Sequence, residues 1–127
     1  VLPLEVRPEH IDENGHVNNV VYVGWLQDAG TAHWNARFDA DARAKWSWVG
    51  VRHEIDYFRP LPPGATGVKA RTWVGEPQGP RFNRYVRIED GEGRLCAQGV
   101  TEWVLVDAAT MRPHRIPANM LPAFEAR

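Results

Sequence analysis

The strongest periodic signal in the chain begins at Asn19. From there Tyr22, Trp25, Leu26, Ala29, Ala32, His33 and Ala36 recur at the i, i+3, i+4, i+7 spacing of one helical face, and the pattern predicts a helix over 19–36 with Asn18 or Asn19 as its N-cap. Ahead of it, residues 4–8 form a short extended run ending at Pro8, an expected opening strand, and residues 9–18 are an expected turn. Ala and charged residues dominate 38–45 without a second apolar stripe, which predicts a short helical turn. The period then changes to two. Val49, Val51, His53, Ile55 and Tyr57 alternate with Gly50, Arg52, Glu54 and Asp56, a half-buried strand that stops at Pro60. Further strands are predicted over 68–74, 82–88 and 95–106, separated by Pro- and Gly-rich turns, with Glu89-Asp90-Gly91-Glu92-Gly93 as a hairpin turn. The proline-rich tail offers only a short helix near 118–125.

One strand, one long helix and then four strands joined by short turns predict an α+β arrangement, a five-stranded antiparallel sheet packed on a single helix. With 127 residues and 43% hydrophobic content, residues 1–127 are expected to form one domain. A net charge of −1 supplies no global basic field, so neither nucleic acid nor an anionic membrane surface is an expected partner, and any anionic ligand must be held locally. No apolar run approaches the roughly 20 residues of a membrane span. Cys96 is the only cysteine, which excludes an internal disulfide, and the default setting is cytoplasmic.

Two absences narrow the chemistry. Ser47 is the only serine and has no Gly-x-Ser-x-Gly around it, which argues against a serine hydrolase of the α/β type. Lys45 and Lys69 are the only lysines, neither lies in a phosphate loop, and no Gly-x-Gly-x-x-Gly occurs, so nucleotide readings have no support.

The chemistry concentrates in Asp12-Glu13-Asn14-Gly15-His16-Val17-Asn18-Asn19. A chain reversal here brings the Asp12 carboxylate in front of the helix N-terminal amides, where the amides polarise a carbonyl oxygen while the carboxylate, or a water it activates, attacks the carbon. That is acyl transfer without a serine or cysteine nucleophile. Asn14 is placed to orient the water or carboxylate, and His16 to assist proton transfer or cap the turn. The bland alternative is that Asp, Asn, Gly and His are all common in turns.

Residues 12–26, read as Asp12-Glu13-Asn14-Gly15-His16-Val17-Asn18-Asn19-Val20-Val21-Tyr22 and onward, closely resemble the Asp-x-x-x-His-Val-Asn-Asn-x-x-Tyr signature of hot-dog-fold thioesterases. That family includes acyl-CoA thioesterases of the 4-hydroxybenzoyl-CoA type and the acyl-carrier-protein thioesterases of fatty acid synthesis. The likeness continues through His53-Glu54-Ile55-Asp56-Tyr57-Phe58-Arg59-Pro60-Leu61 and Thr101-Glu102-Trp103-Val104-Leu105-Val106-Asp107. The resemblance implies a hot-dog fold and thioester hydrolysis in fatty acid metabolism, with Asp12 as nucleophile or general base and the polarising amide near Asn19. It implies supporting roles for Asn14 and His16, and a substrate-binding role for Asn18, Asn19 and Tyr22. Neither a cofactor nor a metal is expected. The carrier-protein branch has a further carboxylate where this chain reads Tyr57-Phe58-Arg59-Pro60, without an acid. The coenzyme A branch is therefore the first expectation, with the carrier protein, or a non-catalytic acyl-CoA or lipid-binding protein, as alternatives.

A metal site built on His10, Asp12 and His16 lacks helical spacing and a third strong ligand. His53 and Glu54 are adjacent on a strand, so only one reaches any given pocket, and His53 is expected to be a core or interface histidine. Cys96 is expected to serve packing. The six tryptophans are expected mostly in the core, with those near the helix available to wall an acyl tunnel. Arg59, Arg81, Arg84 and Arg87 fit either coenzyme A phosphates or a solvated strand face. Edge strands of such a sheet need protection, and edge pairing in a homodimer or homotetramer provides it, with active sites that the resemblance places between subunits.

Overall fold

The computed structural model of the chain describes residues 1–120 together with Pro122 and Phe124. The helix begins and ends close to where its apolar stripe does. α1 spans Asn19–Arg37, Asn18 is its N-cap and its side chain accepts a hydrogen bond from Val20 N–H. A second helix, α2, spans Ala40–Lys45, capped by Asp39. The strands are β1 (Leu2–Pro3), β2 (Trp46–Tyr57), β3 (Lys69–Val74), β4 (Arg81–Glu89) and β5 (Leu95–Asp107). They form one antiparallel sheet in the order β1-β3-β4-β5-β2.

Residues facing α1 along the middle of the sheet are small where the helix comes closest. A Cβ on Gly99 of β5 would lie 2.7 Å from the Leu26 side chain and 3.2 Å from the backbone oxygen of Glu54. Glycine at this point lets the helix close on the sheet. Around it lie two apolar clusters. One joins Val17, Tyr22, Trp25, Leu26 and Ala29 to Leu61, Val68, Val86, Ile88 and Ala97. The other joins Trp46, Phe82, Trp103 and Leu105 to Ile116, Met120 and Phe124.

Three details differ from the periodic reading. The opening strand lies at Leu2–Pro3 rather than 4–8, and Pro8–His10 is a 3-10 turn. Leu2, Leu4 and Val6 do alternate inward, but beyond the Leu4 N–H bond to Val68 O (2.8 Å) the pairing does not continue among the described residues, and the segment leading into β3 turns at Gly67, whose φ is +71°. In β2 the pairing with β5 slips between Gly50 and Arg52, leaving Val51 as a bulge. Trp46, Trp48 and Gly50 therefore face the helix before the bulge and His53 and Ile55 after it, and the stripe expected from Val49 to Tyr57 is split. β2 also starts three residues early, at Trp46, where bulky aromatic residues suit a strand. In the tail, Ala118–Met120 is a 3-10 turn, and the rest of the expected 118–125 helix falls largely outside the described residues.

Candidate active site

The turn before α1 is closed by its own backbone. Ile11 and Val17 bridge, Asp12 N–H donates to His16 O (2.9 Å), and Gly15 N–H donates to Asp12 O (3.0 Å). Gly15 takes φ +77°, a conformation that costs glycine little and a side-chain-bearing residue more. The Asp12 side chain is oriented in turn, because its Oδ1 accepts Asn14 N–H at 2.9 Å. Two bonds fix this loop to the fold: Asn18 N–H to His10 O (2.9 Å) and Val17 N–H to Leu61 O (3.0 Å).

At the helix start, Asn18 Oδ1 takes Val20 N–H (2.9 Å) and Asn18 O takes Val21 N–H (3.0 Å). Capping therefore leaves the N–H of Asn19 without a partner among the described residues, at the positive end of the α1 dipole. The first turn is clamped from the sheet side, since Tyr57 at the end of β2 donates its hydroxyl to Asn19 O at 3.0 Å. Tyr57 also packs edge-on against Tyr22, with ring centroids 5.1 Å apart. Burial pushes the Tyr22 hydroxyl up to about 12, so this ring is a neutral floor.

Asp12, Asn14, His16, Asn18, Asn19 and Tyr22 line one cleft of about 460 Å³, together with Tyr57, Phe58, Arg59 and Pro60. All six residues singled out from the sequence thus meet in one place. The Asn18 Oδ1 is occupied as the cap, which sets the helix start beside the cleft. Asp12 is the one carboxylate and Arg59 the one guanidinium among the described residues that line the cleft. The Tyr57 clamp was not legible in the sequence, because it depends on where β2 ends relative to a helix 38 residues earlier.

The other expectations sort by face. His53 points to the helix side, with its Nδ1 2.9 Å from Thr101 Oγ1, while Glu54 points outward and pairs with Arg52 at 3.2 Å. Arg81 pairs with Glu102, and Arg87 lies 3.8 Å from Glu89. Arg84 belongs neither to a solvated face nor to the cleft: it points inward from β4 and is 1% exposed. Cys96 is fully buried, as packing requires. Among the described residues, no group of three His, Cys, Asp or Glu side chains converges to hold a metal ion, and no helix is long and apolar enough to cross a membrane.

The family model of the thioesterase-like superfamily matches residues 6–124. The chain belongs to that superfamily. No curated protein matches it in sequence. Among solved structures it is similar to a protein from Pseudomonas aeruginosa strain PAO1, at 24% identity over 97% of this chain and 87% of that one, with a TM-score of 0.84. A thioesterase from Thermus thermophilus, complexed with coenzyme A and Zn, aligns at 23% identity over 97% and 89% of the two chains, with a TM-score of 0.82. A gentisyl-coenzyme A thioesterase aligns at 22% identity over 99% and 100%, with a TM-score of 0.83. At these identities the likeness establishes the hot-dog fold of this superfamily member.

Proposed function

We propose that this protein hydrolyses an acyl-CoA thioester to the free acid and coenzyme A, with Asp12 as the attacking group or general base. What supports this reading is that Asp12 and Asn19, the first residue of α1, line one cleft, and that the cap bonds go to the N–H groups of Val20 and Val21 rather than to that of Asn19. The thioester carbonyl oxygen is held by that N–H, and negative charge developing on it is stabilised by the helix end. Asp12 either bonds to the carbonyl carbon, forming an anhydride that water then cleaves, or takes a proton from water as the water attacks. In both routes the carbon–sulfur bond breaks and the coenzyme A thiolate leaves and is protonated. Asn14 and His16 support the attacking group and the proton transfers. Arg59 suits the phosphates of coenzyme A, which a guanidinium grips by paired hydrogen bonds.

A carrier-protein thioester presents a similar pantetheine arm and is the second substrate class. The acid-free stretch Tyr57-Phe58-Arg59-Pro60 favours coenzyme A over it. We further propose that the site is completed in a homodimer paired along β2. Edge strand β2 carries Val49 and Val51 at 37% and 49% exposure, and Phe58 beside the cleft is 60% exposed.

The test is thiol release from a panel of aliphatic and aromatic acyl-CoAs and acyl-carrier proteins, by the wild type and by Asp12→Asn. Wild-type turnover with a fall of about 10²- to 10⁴-fold in the variant is expected. No thiol from any donor defeats the enzyme reading, and full activity in Asp12→Asn removes Asp12 from its role.

A further inference from the structure

A second cavity, of about 350 Å³, lies between the C-terminal half of α1 and the sheet and is walled by Trp34, Trp48, Phe82, Trp103 and Phe124 around Arg84. Along α1 it begins near Gly30, and at about 1.5 Å per residue it is roughly 16–22 Å from Asn19. It is therefore separate from the cleft at Asp12 within one chain.

Among the described residues, the hydrogen-bond partners of Arg84 are neutral groups. One guanidinium nitrogen, Nη1, donates to His33 Nδ1 and to Thr72 Oγ1, both at 3.0 Å. Thr72 passes its own hydroxyl hydrogen to Tyr85 O at 2.9 Å, which leaves its oxygen as the acceptor. An arginine has no lone pair to offer, so His33 must accept through Nδ1 and is neutral. Burial, reinforced by Arg84 and Arg37, pushes His33 down to about 4, in keeping with that state. The rings of Phe82 and Phe124 flank the guanidinium carbon at 5.8 and 5.9 Å. Gly30 makes the room, since a Cβ there would sit 3.1 Å from the Trp103 ring and 3.4 Å from Arg84 Nε. Among the described residues no carboxylate pairs with this cation. Two of the wall residues, Trp48 and Trp103, also carry buried indole N–H donors that have no acceptor among the described residues.

A buried cation without a counter-ion is costly unless an anion joins it, and a pocket whose buried polar groups are donors selects a ligand that brings acceptor oxygens. The aromatic walls select the rest of that ligand. We propose that this chamber binds an apolar, preferably aromatic, carboxylate, with the anionic end on Arg84 and the apolar body between the aromatic walls. Two sources supply that chemistry: a free acid, and the far end of an acyl group that carries a second carboxylate. The second source rests on the thioesterase reading and on a partner protomer. Antiparallel pairing of two β2 edges would bring the Trp46–Trp48 end of one strand towards the Tyr57 end of the other.

The experiment titrates benzoate against benzamide, followed by calorimetry and tryptophan fluorescence, on the wild type, Arg84→Met and Arg84→Lys. Benzoate is expected to saturate a single site, with benzamide and Arg84→Met each weaker by about ten-fold or more, as loss of a charged hydrogen bond implies, and with Arg84→Lys retaining part of the affinity. Equal binding of benzoate and benzamide, or wild-type affinity in Arg84→Met, overturns the proposal. If Arg84→Met fails to fold, the benzoate–benzamide comparison on the wild type decides alone. A second arm compares thiol release from the mono-CoA thioester of an aromatic dicarboxylic acid with that from its methyl ester. Preference for the acid, lost in Arg84→Met, supports the acyl source, and benzoate binding without that preference supports the free-acid source. Because the binding arm needs no turnover, a failure of the thioesterase reading leaves it intact.

Discussion

Tyr57 and Asn19, 38 residues apart, are joined by a single hydrogen bond: the phenol hydroxyl at the end of the edge strand donates to the backbone oxygen of the first helical residue at 3.0 Å. The same residue, Asn19, lines the cleft, and its N–H is the polarising donor of the proposed reaction. Its carbonyl is thus anchored by the sheet. Tyr57→Phe removes the anchor and keeps the ring packing on Tyr22. We expect kcat/KM for thioester hydrolysis to drop on the order of ten-fold through misplacement of the polarising amide. The stability cost is expected to be about 0.5–1.5 kcal/mol. Wild-type kinetics in Tyr57→Phe would show that the clamp has no part in the chemistry.

Gly99 tests how tightly α1 is seated. A methyl group there meets Leu26 at 2.7 Å, Ile55 at 3.1 Å and the fixed backbone oxygen of Glu54 at 3.2 Å. The leucine tip has freedom to move, but the backbone of β2 does not. Gly99→Ala is expected to destabilise the fold by about 1–3 kcal/mol in urea denaturation, as overpacking does. A neutral or stabilising result would mean that the helix has room to rise off the sheet.

His33 sets an acid limit on stability. Its pKa lies at about 4 in the fold against 6.5 for the free group, with burial as the first cause. Between those two values the unfolded chain binds a proton that the folded chain does not, so stability falls as pH drops from 6.5 toward 4, and His33 adds no slope above 6.5. His33→Gln keeps an acceptor for Arg84 and does not titrate. Chemical denaturation at a series of pH values should show a shallower loss in the variant across that window. An unchanged slope would assign the acid sensitivity to other groups.

The exposed edge of β2 carries the oligomer prediction. Val51 stands on a bulge at 49% exposure, with Val49 beside it. Val51→Lys places a charge where a second β2 would pair, a substitution that blocks edge-to-edge association. Light scattering on a size-exclusion column should show the wild type as a dimer or larger and the variant shifted to monomer, with unchanged circular dichroism. A monomeric wild type would defeat edge pairing, and with it the shared-site geometry.

What the sequence determined by itself is what depends on neighbours a few residues away. The stripe from Tyr22 to Ala36 predicts α1 because helical contacts recur within four residues, and Asn18 is legible as the cap because it bonds Val20, two positions on. The turn chemistry around Gly15 is equally local. Asp12, Asn14, His16, Asn18, Asn19 and Tyr22 all fall within one such short stretch, so the family resemblance marks them as one group from the sequence alone, and they line one cleft. What only the tertiary structure decided is which way strand residues face and what they meet. Val51 is a bulge because β2 slips against β5, a strand about fifty residues later, and that slip turns Trp46 and Trp48 towards the helix. Arg84 differs from Arg81 and Arg87 only by its place in an alternation whose inward phase is set by the neighbouring strands. The Asn19 anchor likewise depends on where a distant strand ends. Side-chain facing in a sheet flips with a one-residue shift of register, and register is a property of pairs of strands, so no single stretch of the chain contains it.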